Sequence, residues 1–264
     1  MKNRPIGVFD SGIGGLTILR ALRKVLPHER FIYFGDNANV PYGGKSKQAV
    51  TRLALNVARF LESCQVKLIV VACNTASAQA LPVLRKQLKV PILGVIEPGA
   101  QAALAATKNN KIAILGTQGT VQSCAYVKAI TKRRKKVQVF QQACPLFVPL
   151  AEEGFVDTPA AKWIAQKYLQ PIKMSGVDTV ILGCTHYPIL KNLIVQILGT
   201  HITLVDSADT LADATKNFLQ DRKMAVTKGT GRIKLYASDA PGKFTQAAQK
   251  LLDEKIPSAL LKKV

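Results

Sequence analysis

No stretch of this sequence approaches eighteen uninterrupted apolar residues, so a membrane-spanning helix is not expected. The opening segment, MKNRPIGVFDSG, has no apolar run long enough for a signal peptide and leads straight into a strand-like segment. Cysteine is sparse, odd in number and unpaired in spacing: Cys64, Cys73, Cys124, Cys144 and Cys184, with no CxxC. That pattern argues against a disulfide framework and predicts free thiols in a reducing, cytoplasmic compartment. Histidine is scarcer still. His28, His186 and His201 form no cluster at ligand spacing, so no metal site is expected.

Acidic residues are also few. Sixteen Asp and Glu stand against 37 Lys and Arg, a formal net charge of +21 that calls for a reading. The densest piece is KRRKK, Lys132 to Lys136, with a shorter basic run at the C-terminus. A solvated helix end accounts for such a run. Binding to nucleic acid or an acidic partner is the sharper alternative, but no zinc-finger spacing, RNP-like aromatic run or separate basic arm accompanies the charge. A positive field also helps gather a small dianionic substrate into a cleft.

What the sequence does have is a recurrence of short β-rich apolar runs. They fall at 6–9, 31–34, 68–71, 92–96, 112–115, 137–140, 177–182, 202–205 and 233–236, mostly with helix-length segments between. In the clearest of these, Ser46 to Gln65, the residues Val50, Leu53, Val57, Phe60, Leu61 and Cys64 form one apolar stripe, which places Cys64 in the core. Strands alternating with helices predict an α/β fold with mostly parallel sheets covered on both faces. The chain also echoes itself. IGVFDSG at Ile6 resembles IAILGTQG at Ile112, and FIYFGD at Phe31 resembles VQVFQQ at Val137. LIVVACNT at Leu68 resembles TVILGCTH at Thr179, and PILGVIEP at Pro91 resembles HITLVDSA at His201. Four echoes in order, at an almost constant offset, predict two similar α/β halves.

Ligands of open α/β sheets bind beyond the carboxyl ends of the strands, which directs attention to the residues just after the apolar runs. GGKS at Gly43 is no P-loop, because the first glycine of that motif would fall at Asn39. GIGGLT at Gly12 lacks the third glycine of a dinucleotide fingerprint, yet it is a glycine-rich turn feeding a helix and can hold an anion such as a carboxylate. Cys184, alone, reads equally as a packed thiol, a metal ligand, or a nucleophile or base. Its echo in Cys73, each at a strand-to-helix turn and each followed by polar residues, points to a pair. A helix N-terminus lowers a thiol pKa, so two such thiols can hold one thiolate and one thiol. One removes a proton from carbon while the other delivers a proton to the opposite face, which is two-base racemisation. Asn74, Thr75, Thr185 and Ser11 supply neutral hydrogen bonds. Asp10 can accept from an ammonium or orient a thiol, and His186 can tune or relay the proton of Cys184.

GVFDSGIGGLT, DNANVPYG, VACNTASA and LGCTHYP together resemble the glutamate racemases of the aspartate/glutamate racemase superfamily, in the expected order and over essentially the whole chain. His186 marks the glutamate branch, since aspartate racemases carry Glu there. The resemblance implies a pyridoxal-free, metal-free enzyme that needs no cofactor and interconverts L- and D-glutamate for peptidoglycan synthesis. It makes Cys73 the base for D-glutamate and Cys184 the base for L-glutamate, assisted by Asp10 and His186. Asp10, Ser11, Tyr42, Gly43, Asn74, Thr75, Thr185 and His186 surround the substrate, with Glu152, or its neighbour Glu153, assisting on the His186 side. It further implies two α/β domains, residues 1–97 plus 207–264 and residues 98–206, with the active site between them, and a homodimer is expected. Activation by a cell-wall precursor through an N-terminal extension is not expected, as Asp10 lies so near the start. Some family members bind DNA gyrase, but no motif here marks such a surface.

Overall fold

The computed structural model describes residues 2–264. The chain opens with β1 (Ile6–Asp10), α1 (Leu16–Val25), β2 (Phe31–Gly35), α2 (Lys47–Ser63), β3 (Leu68–Val71), α3 (Asn74–Gln79), α4 (Leu81–Gln87), β4 (Ile92–Gly94) and α5 (Ile96–Ala106). It continues with β5 (Lys111–Gly116), α6 (Gln118–Gln122), α7 (Ala125–Arg133), β6 (Gln138–Ala143) and α8 (Phe147–Glu152). Then come α9 (Pro159–Met174), β7 (Thr179–Gly183), α10 (Lys191–Leu198) and β8 (Thr203–Asp206). The last stretch is α11 (Ser207–Asp221), β9 (Ile233–Ala237), α12 (Pro241–Leu252) and β10 (Leu260–Leu261).

Two sheets result, one ordered β10-β9-β2-β1-β3-β4 and the other β6-β5-β7-β8, with every strand pair parallel. All nine expected strands form. The order 2-1-3-4 in the first sheet and 6-5-7-8 in the second is the same local topology, so the four sequence echoes fall on equivalent strands. Central strands β1, β3 and β7 are buried along their full length. Such strands have helices on both faces, which is why they read as solid apolar runs rather than alternating ones.

Three apolar clusters fill the layers. One lies under α2 and α4 on the outer face of the first sheet, and another under α8, α9 and α10 on the outer face of the second. The third is shared: residues of α1, α5 and α11 pack with Ile6 and Val8 of one sheet and with Ile112, Ile114 and Ile181 of the other. α2 begins where its signals put it, with the Ser46 side chain accepting from Ala49 N at 3.2 Å, and it buries Val50, Ala54, Val57, Ala58 and Leu61. Cys64 departs from expectation. It caps the C-terminus of α2 and is only partly buried, because the helix ends before the stripe completes another turn.

A buried ion pair pins the far ends of the strands. Lys67 Nζ lies 2.7 Å from Glu29 Oε2, and both side chains are excluded from solvent. The same ammonium donates to the Lys2 and Met224 carbonyls, while Glu29 Oε1 accepts from Val226 N.

Candidate active site

Four equivalent strand ends converge on one small, tight cavity with room for only about 20 Å³ of solvent. β1 delivers Ser11, β3 delivers Cys73, Asn74 and Thr75, β5 delivers Thr117, and β7 delivers Cys184, Thr185 and His186. Tyr42 and Gly43 close it from the loop after β2, and Val148 of α8 from the other half. Larger hollows exist, such as the one beside Lys45, Arg85 and Lys128, but they are open and hold no comparable group of reactive side chains.

The two thiols sit at matching positions with different neighbours. Cys73 caps α3, its sulfur accepting from Ala76 N at 3.5 Å and lying 3.9 Å from Ser11 Oγ. Burial first, and then the Asp10 carboxylate, push this thiol well up, against the smaller pull of the Ala76 N–H and Ser11. The expected lowering by a helix N-terminus is therefore overridden at Cys73, which remains a thiol near neutral pH. On the other side, Cys184 Sγ lies 3.9 Å from His186 Nδ1, and His186 Nε2 lies 3.1 Å from Glu152 Oε1. The second contact is an ion pair off the line of a hydrogen bond. Burial favours the neutral imidazole, but the Cys184 sulfur, the Glu152 carboxylate and Asp10 outweigh it and raise the His186 pKa to about 10. Glu152 closes α8 and makes this contact, and Glu153 follows it as an exposed residue.

Asp10 lies beneath the cavity rather than in its wall. Its Oδ2 accepts from Gly15 N at 2.8 Å and from Thr185 Oγ1 at 3.4 Å. The glycine-rich turn thus holds an anion, as its sequence predicts, but that anion is the chain's own Asp10. Any side chain at Gly14 would force its neighbours to shift, since a Cβ there would lie 2.4 Å from Thr185 Oγ1 and 2.8 Å from the His186 ring. Tyr42 is fixed by its hydroxyl, which donates to Asp36 Oδ2 at 2.6 Å.

The arrangement is that of a carbon acid site: two thiols, one flanked by a carboxylate and one by an imidazolium, with neutral donors between them. A family model described as Asp/Glu/Hydantoin racemase matches residues 16–215. The chain belongs to the Asp/Glu/hydantoin racemase family. It is similar to the glutamate racemase of Geobacter metallireducens, at 47% identity over 97% of this chain and 95% of that protein. Among solved structures it is similar to glutamate racemase isoform RacE1 of Bacillus anthracis, with 35% identity, a TM-score of 0.96 and coverage of 100% and 99% of the two chains. It is likewise similar to the glutamate racemase of Francisella tularensis in complex with D-glutamate, with 35% identity, a TM-score of 0.93 and coverage of 100% and 98%. The chain is accordingly an isomerase with the two-sheet racemase fold.

Some residues around this cavity were not singled out from sequence. Thr117 Oγ1 lies 2.8 Å from Thr75 Oγ1 and 3.1 Å from Thr120 Oγ1, so a hydroxyl cluster joins the two halves. The signal was present. At the offset that relates Ile6 to Ile112, Ser11 corresponds to Thr117. Tyr126, which reaches Asn74 from α7, carried no comparable signal. Among the described residues no Lys or Arg lines the cavity, although the surface is crowded with both. No group of three or more His, Cys, Asp or Glu among the described residues could hold a metal ion.

Proposed function

We propose that this racemase interconverts L- and D-glutamate without a cofactor, by two-base proton transfer between Cys73 and Cys184. The observation that carries the reading is the placement of both thiols, on equivalent strand ends of opposite halves, in the wall of one cavity. A thiolate at Cys184 removes the Cα proton of L-glutamate, and the Cys73 thiol delivers a proton to the opposite face. The two groups exchange roles for D-glutamate. His186, held protonated by its carboxylate neighbour, stabilises the thiolate at Cys184, and Asp10 plays its part beside Cys73. Asn74, Thr75, Thr185 and Ser11 donate to the carboxylates and take up the charge that develops as Cα is deprotonated. Tyr42 and Gly43 shape the remaining wall.

The reading includes two domains, residues 1–97 plus 207–264 and residues 98–206, facing each other across the cavity. It also includes a cytoplasmic role supplying D-glutamate for peptidoglycan. All five cysteines are free thiols, and no helix of the described residues is long and apolar enough to cross a membrane. A homodimer belongs to the same reading, and exposed Trp163 and Met174 offer apolar surface for it.

The test is Cα proton exchange in heavy water, with racemisation followed from both enantiomers. Cys73→Ala and Cys184→Ala are each expected to abolish racemisation. Racemisation surviving in both single variants would overturn the assignment. A side-by-side assay with aspartate checks the substrate.

A further inference from the structure

Asn74 is a buried amide with one end tied and one end free. Its Oδ1 accepts from Tyr126 OH at 2.7 Å, while Nδ2 has no partner in the protein and no access to solvent. The residue is 2% exposed and lines the cavity. A buried N–H₂ without an acceptor is costly, and it is explained most simply by a ligand oxygen that completes it.

Tyr126 decides which end of the amide faces the cavity. Burial pushes its phenol above the ordinary tyrosine range, so the hydroxyl keeps its proton and can donate. The ring is 1% exposed and held between two backbones. A Cβ at Gly99 would lie 3.2 Å from its Cε1, and one at Gly183 would lie 3.5 Å from its Cε2. A fixed donor selects the oxygen of an amide and turns the N–H₂ the other way. Without that donor either end of Asn74 can face the cavity, and an oxygen there repels a carboxylate.

We propose that Tyr126 is a positioning residue: across the seam between the two halves it orients the Asn74 amide so that Nδ2 donates to a substrate carboxylate. Asn74 follows β3 of the first sheet, and Tyr126 comes from α7 beside the second. The orientation is therefore set only while the halves are docked. The proposal rests on the racemase reading above and adds to it a determinant of carboxylate over carboxamide recognition.

The test is Tyr126→Phe in the full chain, an isosteric change that keeps the ring and removes only the donor. KM for both glutamate enantiomers is expected to rise roughly tenfold, the size of one lost hydrogen bond to a charged group, with kcat changed less than about threefold. The melting temperature should move little. A readout that mere structural support would leave untouched is discrimination against amides. Glutamine and isoglutamine, each carrying one carboxamide, are compared with glutamate as competing ligands. One of them should gain on glutamate in Tyr126→Phe, and which one identifies the carboxylate that Asn74 holds. In an Asn74→Ala background, the same change at Tyr126 should leave KM where it is.

Unchanged KM and unchanged amide discrimination in Tyr126→Phe would overturn the proposal, as would an equal tenfold loss in the Asn74→Ala background. Failure of the racemase reading shows up separately, as wild-type protein that exchanges no Cα proton. In that case calorimetric binding of glutamate and its two amides, to wild type and to Tyr126→Phe, still decides the orientation.

Discussion

The imidazole Nδ1 of His186 lies 3.9 Å from the Cys184 sulfur, two residues away in the chain and on the same side of the cavity. Its other nitrogen meets Glu152, so a positive ring is held between a thiol and a carboxylate. The folded pKa of His186, about 10, stands above the ordinary 6.5, so the native state binds this proton more tightly than the unfolded chain. The resulting stabilisation is complete below pH 6.5 and is lost as pH rises through about 10. Glu152→Gln removes part of it. The gap in melting temperature between the protein and this variant should therefore be widest near pH 6.5 and narrow toward pH 10. A gap that widens with pH would contradict the assignment.

Cys73 should be a reluctant thiolate. Burial and Asp10 both hold its proton on, so alkylation of Cys73 in a Cys184→Ser variant should still be accelerating above pH 9, the ordinary thiol value. Peptide mapping after timed iodoacetamide treatment measures this. A rate that levels off near neutral pH would mean that the helix N-terminus dominates after all.

Gly14→Ala should damage the site without unfolding the chain. The new methyl group would press on Thr185 and His186, and misplacement by about 1 Å at a reacting group costs on the order of 100-fold in rate. Gly44→Ala is the control, since nothing lies within 4 Å of a Cβ there. Racemase assays and thermal unfolding of the two variants side by side separate a site effect from a folding one.

Lys67→Met should be among the most destabilising single changes in the first sheet. It leaves Glu29 buried and uncompensated, at about 3–5 kcal/mol for a broken buried pair. Adding Glu29→Gln, which keeps an acceptor for Val226 N, should recover part of that loss in urea unfolding. A double variant as unstable as the single would show that the lost Lys67 contacts to the Lys2 and Met224 carbonyls matter more than charge.

Much of the fold is legible because parallel strands buried on both faces leave continuous apolar runs, and because the two halves repeat at a nearly fixed offset. The cysteine pair was legible for the same reason, since repetition makes two ordinary thiols conspicuous. β10 was not, being two exposed leucines whose only claim to strand structure is pairing with β9. The fate of the glycine-rich turn was only half legible. Its capacity for an anion is local, but its occupation by Asp10 depends on how β1 meets α1. The lowered thiol pKa expected at Cys73 failed because burial is a property of the assembled fold, and a helix of six residues does not offset it. Tyr126 and Thr120 were hidden by distance: each matters only once the second half docks against the first.

The seam between the halves has two unlike sides. Away from the cavity, α5 and α11 tie both sheets into one apolar cluster, where separation would expose hydrocarbon to water. At the cavity, the halves meet through hydroxyls, Thr75 against Thr117, which water can replace almost contact for contact. The molecule is thus joined by hydrocarbon along one edge and by buried hydroxyls along the other. Separating the two halves would expose hydrocarbon at α5 and α11 but only hydroxyls at Thr75 and Thr117, in the wall that also carries Cys73 and Cys184.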